Sequence, residues 1–287
     1  MLFLWFMEIL PADQFTLEQL TEAYNQTRVD YIVPMPMNVD TLREYNRVYD
    51  IELSASCVAV HEGEVIGLGM TGFRAQRSWI TRLGVLPSGR KHGVGQKLMD
   101  SMLKTSEERN IPVSWLEVIK GNEPAHRLFQ RLGFVQTREL LVTRRPPTRR
   151  LENSVFNPAE LLHLRTHNQE VALEFLKQRQ DWPAWTNQTE SLTHVPNLTL
   201  IEIQLKDGSV GWVSYHASLL RLTRIIVDVL VGDPVEVATA VLHTLHRLHP
   251  TQDALAENIS ADDPKWPGFQ KMGYFETFRR IEMVKNF

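Results

Sequence analysis

Two periods alternate along the chain, a spacing of two that marks strands and a spacing of 3.6 that marks helices. Ile9 and Leu10 open a strand, and Thr16 caps a helix whose apolar face is Leu17, Leu20 and Ala23. The stretch 31–37 carries Pro34 and Pro36, which force extended backbone, and a second helix follows over 41–49. Residues 56–60 and 65–71 form a hairpin about His61, Glu62, Gly63 and Glu64. Over 79–86 the pattern is again a strand, with Ile80, Arg82, Gly84 and Leu86 on one face and Trp79, Thr81, Leu83 and Val85 on the other. From Val94 the apolar positions Leu98, Met99, Met102 and Leu103 keep helical spacing until Asn110, ahead of Pro112. A strand over 113–119 sets Trp115, Glu117 and Ile119 on one face, and the intervening helix places it parallel to 79–86 through a right-handed crossover. Asn122 then caps a helix with the inner stripe Ala125, Leu128, Phe129 and Leu132, ended by Gly133.

The pattern recurs. A shift of 140 residues lays Glu117, Pro124, Phe129, Gln130 and Gly133 on Glu257, Pro264, Phe269, Gln270 and Gly273, with Asn122 on Asp262 and Phe134 on Tyr274. Upstream of the second set come a hairpin over 198–205 and 210–216, a strand over 221–231 and an amphipathic helix over 235–248. The chain therefore reads as one α/β fold with a mixed sheet, present twice. Residues 1–143 form the first domain, 152–287 the second, and 144–151 the linker, whose prolines favour extended backbone and whose arginines keep it solvated.

Composition narrows the class. At 287 residues there is room for two cores, and 43% hydrophobic with 23% charged residues describes a globular chain. A net charge of −3 disfavours a nucleic-acid partner, which calls for a basic stripe. The single Cys57 lies in an apolar run and reads as a buried core thiol. No membrane segment is expected, and the expected compartment is the cytoplasm. The leading Met1 to Phe6 lacks the basic flank and cleavage site of a signal peptide; it is either carried from an upstream start at Met1 rather than Met7 or lengthens the first strand. His243, His246 and His249 drift around their helix and have no Cys or carboxylate partner, so they read as an exposed face rather than a metal site, and no metal is expected.

The chemistry gathers where the strand over 79–86 gives way to a helix. A glycine-bearing turn at a helix N-terminus offers unpaired N–H groups and the positive end of the helix dipole, to which Arg90, Lys91 and His92 add side-chain charge. This suits a phosphate. The P-loop spacing is absent, and a dinucleotide fingerprint would need glycine where Leu98 stands.

Arg90-x-x-Gly93-x-Gly95 resembles the acyl-CoA pyrophosphate loop, R/Q-x-x-G-x-G/A, of the GCN5-related N-acetyltransferase (GNAT) superfamily. Trp115-Leu116-Glu117-Val118 followed by Asn122, Ala125, Leu128, Phe129, Gly133 and Phe134 resembles that superfamily's next strand and helix. The resemblance implies two tandem GNAT folds and acetyl-CoA as acyl donor, with a primary amine of a small molecule or peptide as acceptor, attacked directly in a ternary complex. It implies cofactor contacts from Leu83, Gly84 and Val85 to the pantetheine arm, from Arg90, Lys91, His92, Gly93, Val94, Gly95 and Gln96 to the phosphates, and from Asn122, Ala125 and Phe129. Tyr31, Met35 and Met37 become candidate acceptor contacts, with ordinary packing as the alternative. Glu117 is either the catalytic base or a structural carboxylate. Phe129 stands where many members carry a tyrosine assigned as general acid, and phenylalanine has no proton to give. In the second copy the corresponding turn carries Asp233, Pro234 and Glu236, which repel a pyrophosphate and remove a donor, so cofactor binding is expected in the first copy alone. The second copy would complete the acceptor pocket, extend the sheet or form a homodimer. The rival from another class is a catalytically silent acyl-CoA-binding or interaction module.

Overall fold

The computed structural model describes residues 6–148 and 155–287. It divides into two compact units, one running to Thr137 and taking in Ile281–Phe287, the other comprising Arg138–Arg280. Among the described residues no helix is long and apolar enough to cross a membrane.

The first unit contains β1 (Glu8–Pro11), α1 (Leu17–Gln26), α2 (Val39–Val48), β2 (Cys57–His61), β3 (Glu64–Arg74), β4 (Arg77–Val85), α3 (Val94–Glu108), β5 (Val113–Ile119), α4 (Glu123–Arg131) and the start of β6 (Val135–Arg145). Its sheet runs β1-β2-β3-β4-β5 and is closed by residues 281–286. Strands β1 to β4 are successively antiparallel, and β5 lies parallel to β4 because α3 carries the chain back across the sheet. Thr16 starts α1 with a full capping box, its hydroxyl accepting from the Gln19 N–H while Gln19 reaches back to the Thr16 N–H. The two sheet faces bury different cores. Val94, Leu98, Met99 and Met102 of α3 pack on Ile66, Ile80, Leu116 and Val118, while Leu20, Tyr24 and Leu42 of α1 and α2 pack on Val58, Leu68 and Met70. Each such fully buried side chain contributes about 1.5–3 kcal/mol. Cys57 is a core thiol as expected, 3% exposed, with burial pushing its pKa up to about 12.

The second unit repeats the order with β7 (Leu161–His167), α5 (Gln169–Lys177), α6 (Thr189–Thr193), β8 (Leu198–Leu205), β9 (Val210–Ala217), β10 (Arg221–Val231), α7 (Pro234–Leu248), β11 (Asp253–Ser260), α8 (Trp266–Lys271) and β12 (Phe275–Asn286). Its sheet runs β6-β11-β10-β9-β8-β7. The last strand of the first half thus belongs mainly to the second unit, and the last strand of the second half ends in the first.

This exchange corrects the contiguous division at 143 and 152. Arg144 and Arg145, expected in a solvated linker, belong to β6. Arg145 is 2% exposed, its Nε donating to the Met272 carbonyl at 2.6 Å, and Arg144 pairs with Asp253 at 2.7 Å. Burial is tolerated because the guanidinium finds an acceptor. Pro146, Pro147 and Thr148 follow without regular structure, while Arg149, Arg150 and Leu151 lie outside the described residues, as do Met1 to Trp5. A second correction concerns α7. His243 and His246 are 1% and 0% exposed, not on an open face. The His246 and His249 Nε2 atoms meet the Tyr274 and Tyr215 hydroxyls at 3.1 and 3.0 Å, and burial holds the His246 imidazole well below its usual pKa. Among the described residues there is no cluster of metal-ligating side chains.

Candidate active site

The turn between β4 and α3 has the backbone geometry of an anion cradle. Lys91 and Gly93 both take left-handed conformations, with φ 69° and 78°, and Gly93 is the N-cap of α3 without any side-chain cap. The first-turn N–H groups of Val94, Gly95 and Gln96 therefore face outward with the helix dipole behind them. The Val94 side chain is buried in the core, so only its backbone serves the turn. Lys91 and His92 are exposed beside it. Arg90 is engaged elsewhere: its two Nη atoms grip Asp30 at 2.5 and 2.7 Å, and its Nε donates to the Val85 carbonyl at 3.2 Å. Hydrogen bonding from Arg90 in turn holds the Asp30 carboxyl below the usual range. Gln96 turns its side-chain amide to Asp100 at 2.8 Å.

Alongside this cradle the sheet opens. β4 and β5 pair only from Arg77↔Val113 to Ile80↔Leu116. Arg82 then adopts φ 54° at a bulge where the β3–β4 register shifts, and the strands part. The bulge breaks the alternation expected for this strand, because Thr81 and Arg82 fall consecutively on one face. Thr81 reaches the Tyr45 hydroxyl at 2.7 Å and the Arg82 guanidinium carbon lies 4.2 Å from the centre of the same tyrosine ring. Beyond the bulge, Leu83 and Val85 pack toward α3. The Leu86 N–H donates to Ile66 O of β3 at 2.8 Å, so by alternation Leu83 and Val85 turn their N–H groups to the open edge, while their carbonyls accept from Arg28 Nη2 at 3.4 Å and Arg90 Nε at 3.2 Å. Gly84 is required by close approach: a Cβ there would strike the Thr27 hydroxyl and lie 2.9 Å from Arg28 Nη1.

Across the gap, Leu116 and Val118 of β5 are buried under α3, which turns Glu117 to the opposite face, half-buried. Tyr45 lies on that face; burial pushes its hydroxyl up to about 12, and the Glu117 charge adds to the shift. Tyr24, Arg28, Tyr45 and Arg82 complete this side of the opening, none of them singled out by sequence. Tyr24 donates to the Met35 carbonyl at 2.9 Å and accepts from Arg82 Nη1 at 3.0 Å. Of the sequence candidates, Tyr31 joins the group, its hydroxyl 3.5 Å from Asn122 Nδ2 and its ring 5.5 Å from Arg28, and the Met35 sulfur lies 3.9 Å from Arg82 Nη1. Met37 does not: both its backbone groups are held by Asn25 and its side chain packs in the core of α1 and α2. Asn122 spends its Oδ1 on the Ala125 N–H at 3.4 Å as the cap of α4. Ala125 packs at the margin of the α3 core, while Phe129 is 5% exposed and edge-on to Phe134 inside it.

An uncapped helix beside a parted parallel pair is the arrangement that the two sequence motifs imply, and residues 17–134 match the model of the acetyltransferase (GNAT) family. This stretch resembles a GNAT domain. The likeness extends beyond it, to solved structures of that fold. The chain matches a tandem GNAT protein from the clavulanic acid biosynthesis pathway with TM-score 0.68 at 13% identity, over 98% of each chain. It matches a GCN5-related N-acetyltransferase from Sphaerobacter thermophilus with TM-score 0.68 at 15% identity, over 98% of this chain and 95% of the other. A putative acetyltransferase from Pyrococcus horikoshii follows with TM-score 0.58 at 12% identity, over 98% and 89%. At such identities the likeness speaks for the fold, which here is two tandem GNAT folds; the chemistry of the family is acyl transfer.

The second GNAT fold keeps the opening and changes the cradle. β10 pairs with β11 only at Arg221↔Asp253 and Leu222↔Ala254, Arg224 takes φ 55° where Arg82 does in the first, and a cavity of about 340 Å³ lies in the gap beside Ile225, Asn258 and Lys265. The N-cap of α7, however, is Asp233, whose Oδ1 accepts from the N–H groups of Val235 and Glu236 at 2.9 and 3.0 Å. Pro234 has no N–H. The donors that stand open in the first GNAT fold are occupied by the chain itself in the second.

Proposed function

We propose that the first GNAT fold transfers an acetyl group from acetyl-CoA to a primary amine of a small molecule or peptide, by direct attack in a ternary complex. The observation that carries this reading is the conjunction of two unused sets of backbone donors, the first turn of α3 and the open edge of β4. The first suits a pyrophosphate through Gly93, Val94, Gly95 and Gln96, with Lys91 and His92 adding charge. Arg90 can add its own only by sharing or leaving Asp30. The second suits the amides of a pantetheine arm, taken up by Leu83 and Val85 in the manner of an added strand, with Gly84 allowing the close packing behind them.

The Val85 N–H is the donor that polarises the thioester carbonyl. Glu117 takes a proton from the acceptor ammonium, the neutral amine attacks the carbonyl carbon, and the C–N bond forms as the C–S bond breaks. The thiolate takes its proton from water, from another group or directly from the nitrogen of the tetrahedral intermediate, which sheds one as the amide forms, since Phe129 has none and its ring is buried. Asn122 and Ala125 set the start of α4 at the mouth of the gap. We place the reaction in the cytoplasm, a reading that the single buried thiol of Cys57 supports.

Acetyl-CoA incubated with a panel of amines, with release of free thiol as the readout, tests the reading. Amine-dependent release is expected. A protein that binds CoA and releases no thiol with any acceptor contradicts it, and would favour the silent binding module.

A further inference from the structure

Arg28 and Arg82 stand apart from the other inward-facing arginines. Arg74, Arg145 and Arg179 meet Asp50 at 2.6 Å, the Met272 carbonyl at 2.6 Å and the Asn187 carbonyl at 2.7 Å, each with a carboxylate or carbonyl squarely engaged. Neither Arg28 nor Arg82 forms an ion pair with any described carboxylate, and the Nε of each is buried without a hydrogen-bond partner. A guanidinium carries five N–H donors. Arg82 donates to two tyrosine hydroxyls, Nη1 to Tyr24 at 3.0 Å and a further bond to Tyr45, and to no described carboxylate or carbonyl. Arg28 gives Nη1 to the Thr27 hydroxyl at 2.8 Å, and its bonds to the Tyr24 and Leu83 carbonyls are long, at 3.4 Å each. Both pack on the same ring, 4.0 and 5.3 Å from the centre of Tyr24. Burial, and to a lesser degree the neighbouring Arg82 charge, hold the Arg28 guanidinium below its usual pKa, whereas Arg82, despite its burial, is held above its own by Tyr45, Tyr24 and Tyr49.

Half-buried like charges with no described carboxylate paired to them and with buried, unbonded Nε atoms are costly to keep. Here the cost is concentrated at the open edge of β4, since Arg28 touches Leu83 and Arg82 forms the bulge that parts β4 from β5. The arrangement is a preformed fork for a planar anion. We infer that the acceptor carries a carboxylate, which Arg28 and Arg82 bind while its amine is presented to Glu117. The acceptor class is then an amino acid or a related amino acid derivative, and not a simple amine or a polyamine. This rests on acyl transfer at the same site.

The test is calorimetric titration of the CoA-saturated protein with the common N-acetyl amino acids and with their amides, so that binding is read without turnover. At least one acid should bind roughly tenfold or more tighter than its amide. Arg28→Gln and Arg82→Gln should each abolish that preference while the Kd for CoA, which reports an intact fold, stays put, and Arg82→Lys should retain part of it. Equal binding of acids and amides, no binding by any acid, or a preference that survives in both glutamine variants overturns the inference. Thiol release with the free amino acids and amides separates the two readings. Acids that bind without any acceptor releasing thiol would sink acyl transfer and leave the anion site, whereas amides and simple amines turning over as well as acids would sink the anion site alone.

Discussion

Glu117 shows what a single position tells in advance. Its place on a strand face opposite the core follows from alternation with Leu116 and Val118, and the structure keeps it there, half-buried and within electrostatic reach of Tyr45. If it takes the ammonium proton, Glu117→Gln should lower kcat by roughly 10²- to 10⁴-fold with the CoA Kd little changed. Steady-state kinetics over a range of pH checks this, and unaltered activity with an unaltered profile returns Glu117 to a structural role. Arg28 and Arg82 were not legible. A cation on a period-two strand reads as a solvent-facing position, and only the bulge, which sets Thr81 and Arg82 on one face, turns Arg82 toward Tyr24 and Tyr45. Arg28 lies past the helical pattern of α1, where sequence carries no period to read. The burial of His243 and His246 escapes the pattern for a related reason, since each is a polar residue that a tightly packed helix buries. Phe129 reads as part of an inner stripe and is one; its 5% exposure makes its ring a core contact first.

At the scale of elements, local chemistry decides the two helix starts that matter. Thr16, Asn122 and the limits of β5 and β10 follow from caps and alternation, and they are where the pattern puts them. The contrast between α3 and α7 was also legible as residue types, glycine against Asp233, Pro234 and Glu236, although not the means. Asp233 does more than repel an anion, because its carboxylate already occupies two of the N–H groups an anion would need. Asp233→Ala should cost about 0.5–2 kcal/mol through the lost cap. It should create no CoA site, as Pro234 still lacks an N–H and Glu236 keeps its charge. A urea midpoint shifted down with CoA stoichiometry unchanged is the expected result, and a second CoA bound by this variant would mean that the cap alone excludes it.

Over the whole molecule, duplication was readable from the 140-residue shift, because the repeat lies in glycines, prolines and aromatics that each unit needs in the same places. The exchange of final strands was not. Alternation specifies a strand and its buried face, yet carries no record of which sheet receives it, so pattern alone cuts β6 at 143 and leaves Arg144 and Arg145 in a linker. One CoA cradle, in the first of the two GNAT folds, is what the proposed chemistry requires. Calorimetric titration of CoA into the parent chain and into Gly93→Glu measures this directly. A Cβ at position 93 meets nothing within 4 Å, so the glutamate is accommodated apart from the strain of φ 78°, about 1–2 kcal/mol, and its charge falls where the phosphates come. One CoA per chain is expected in the parent and none in the variant; a stoichiometry near two, or a site that survives in Gly93→Glu, overturns the single cradle.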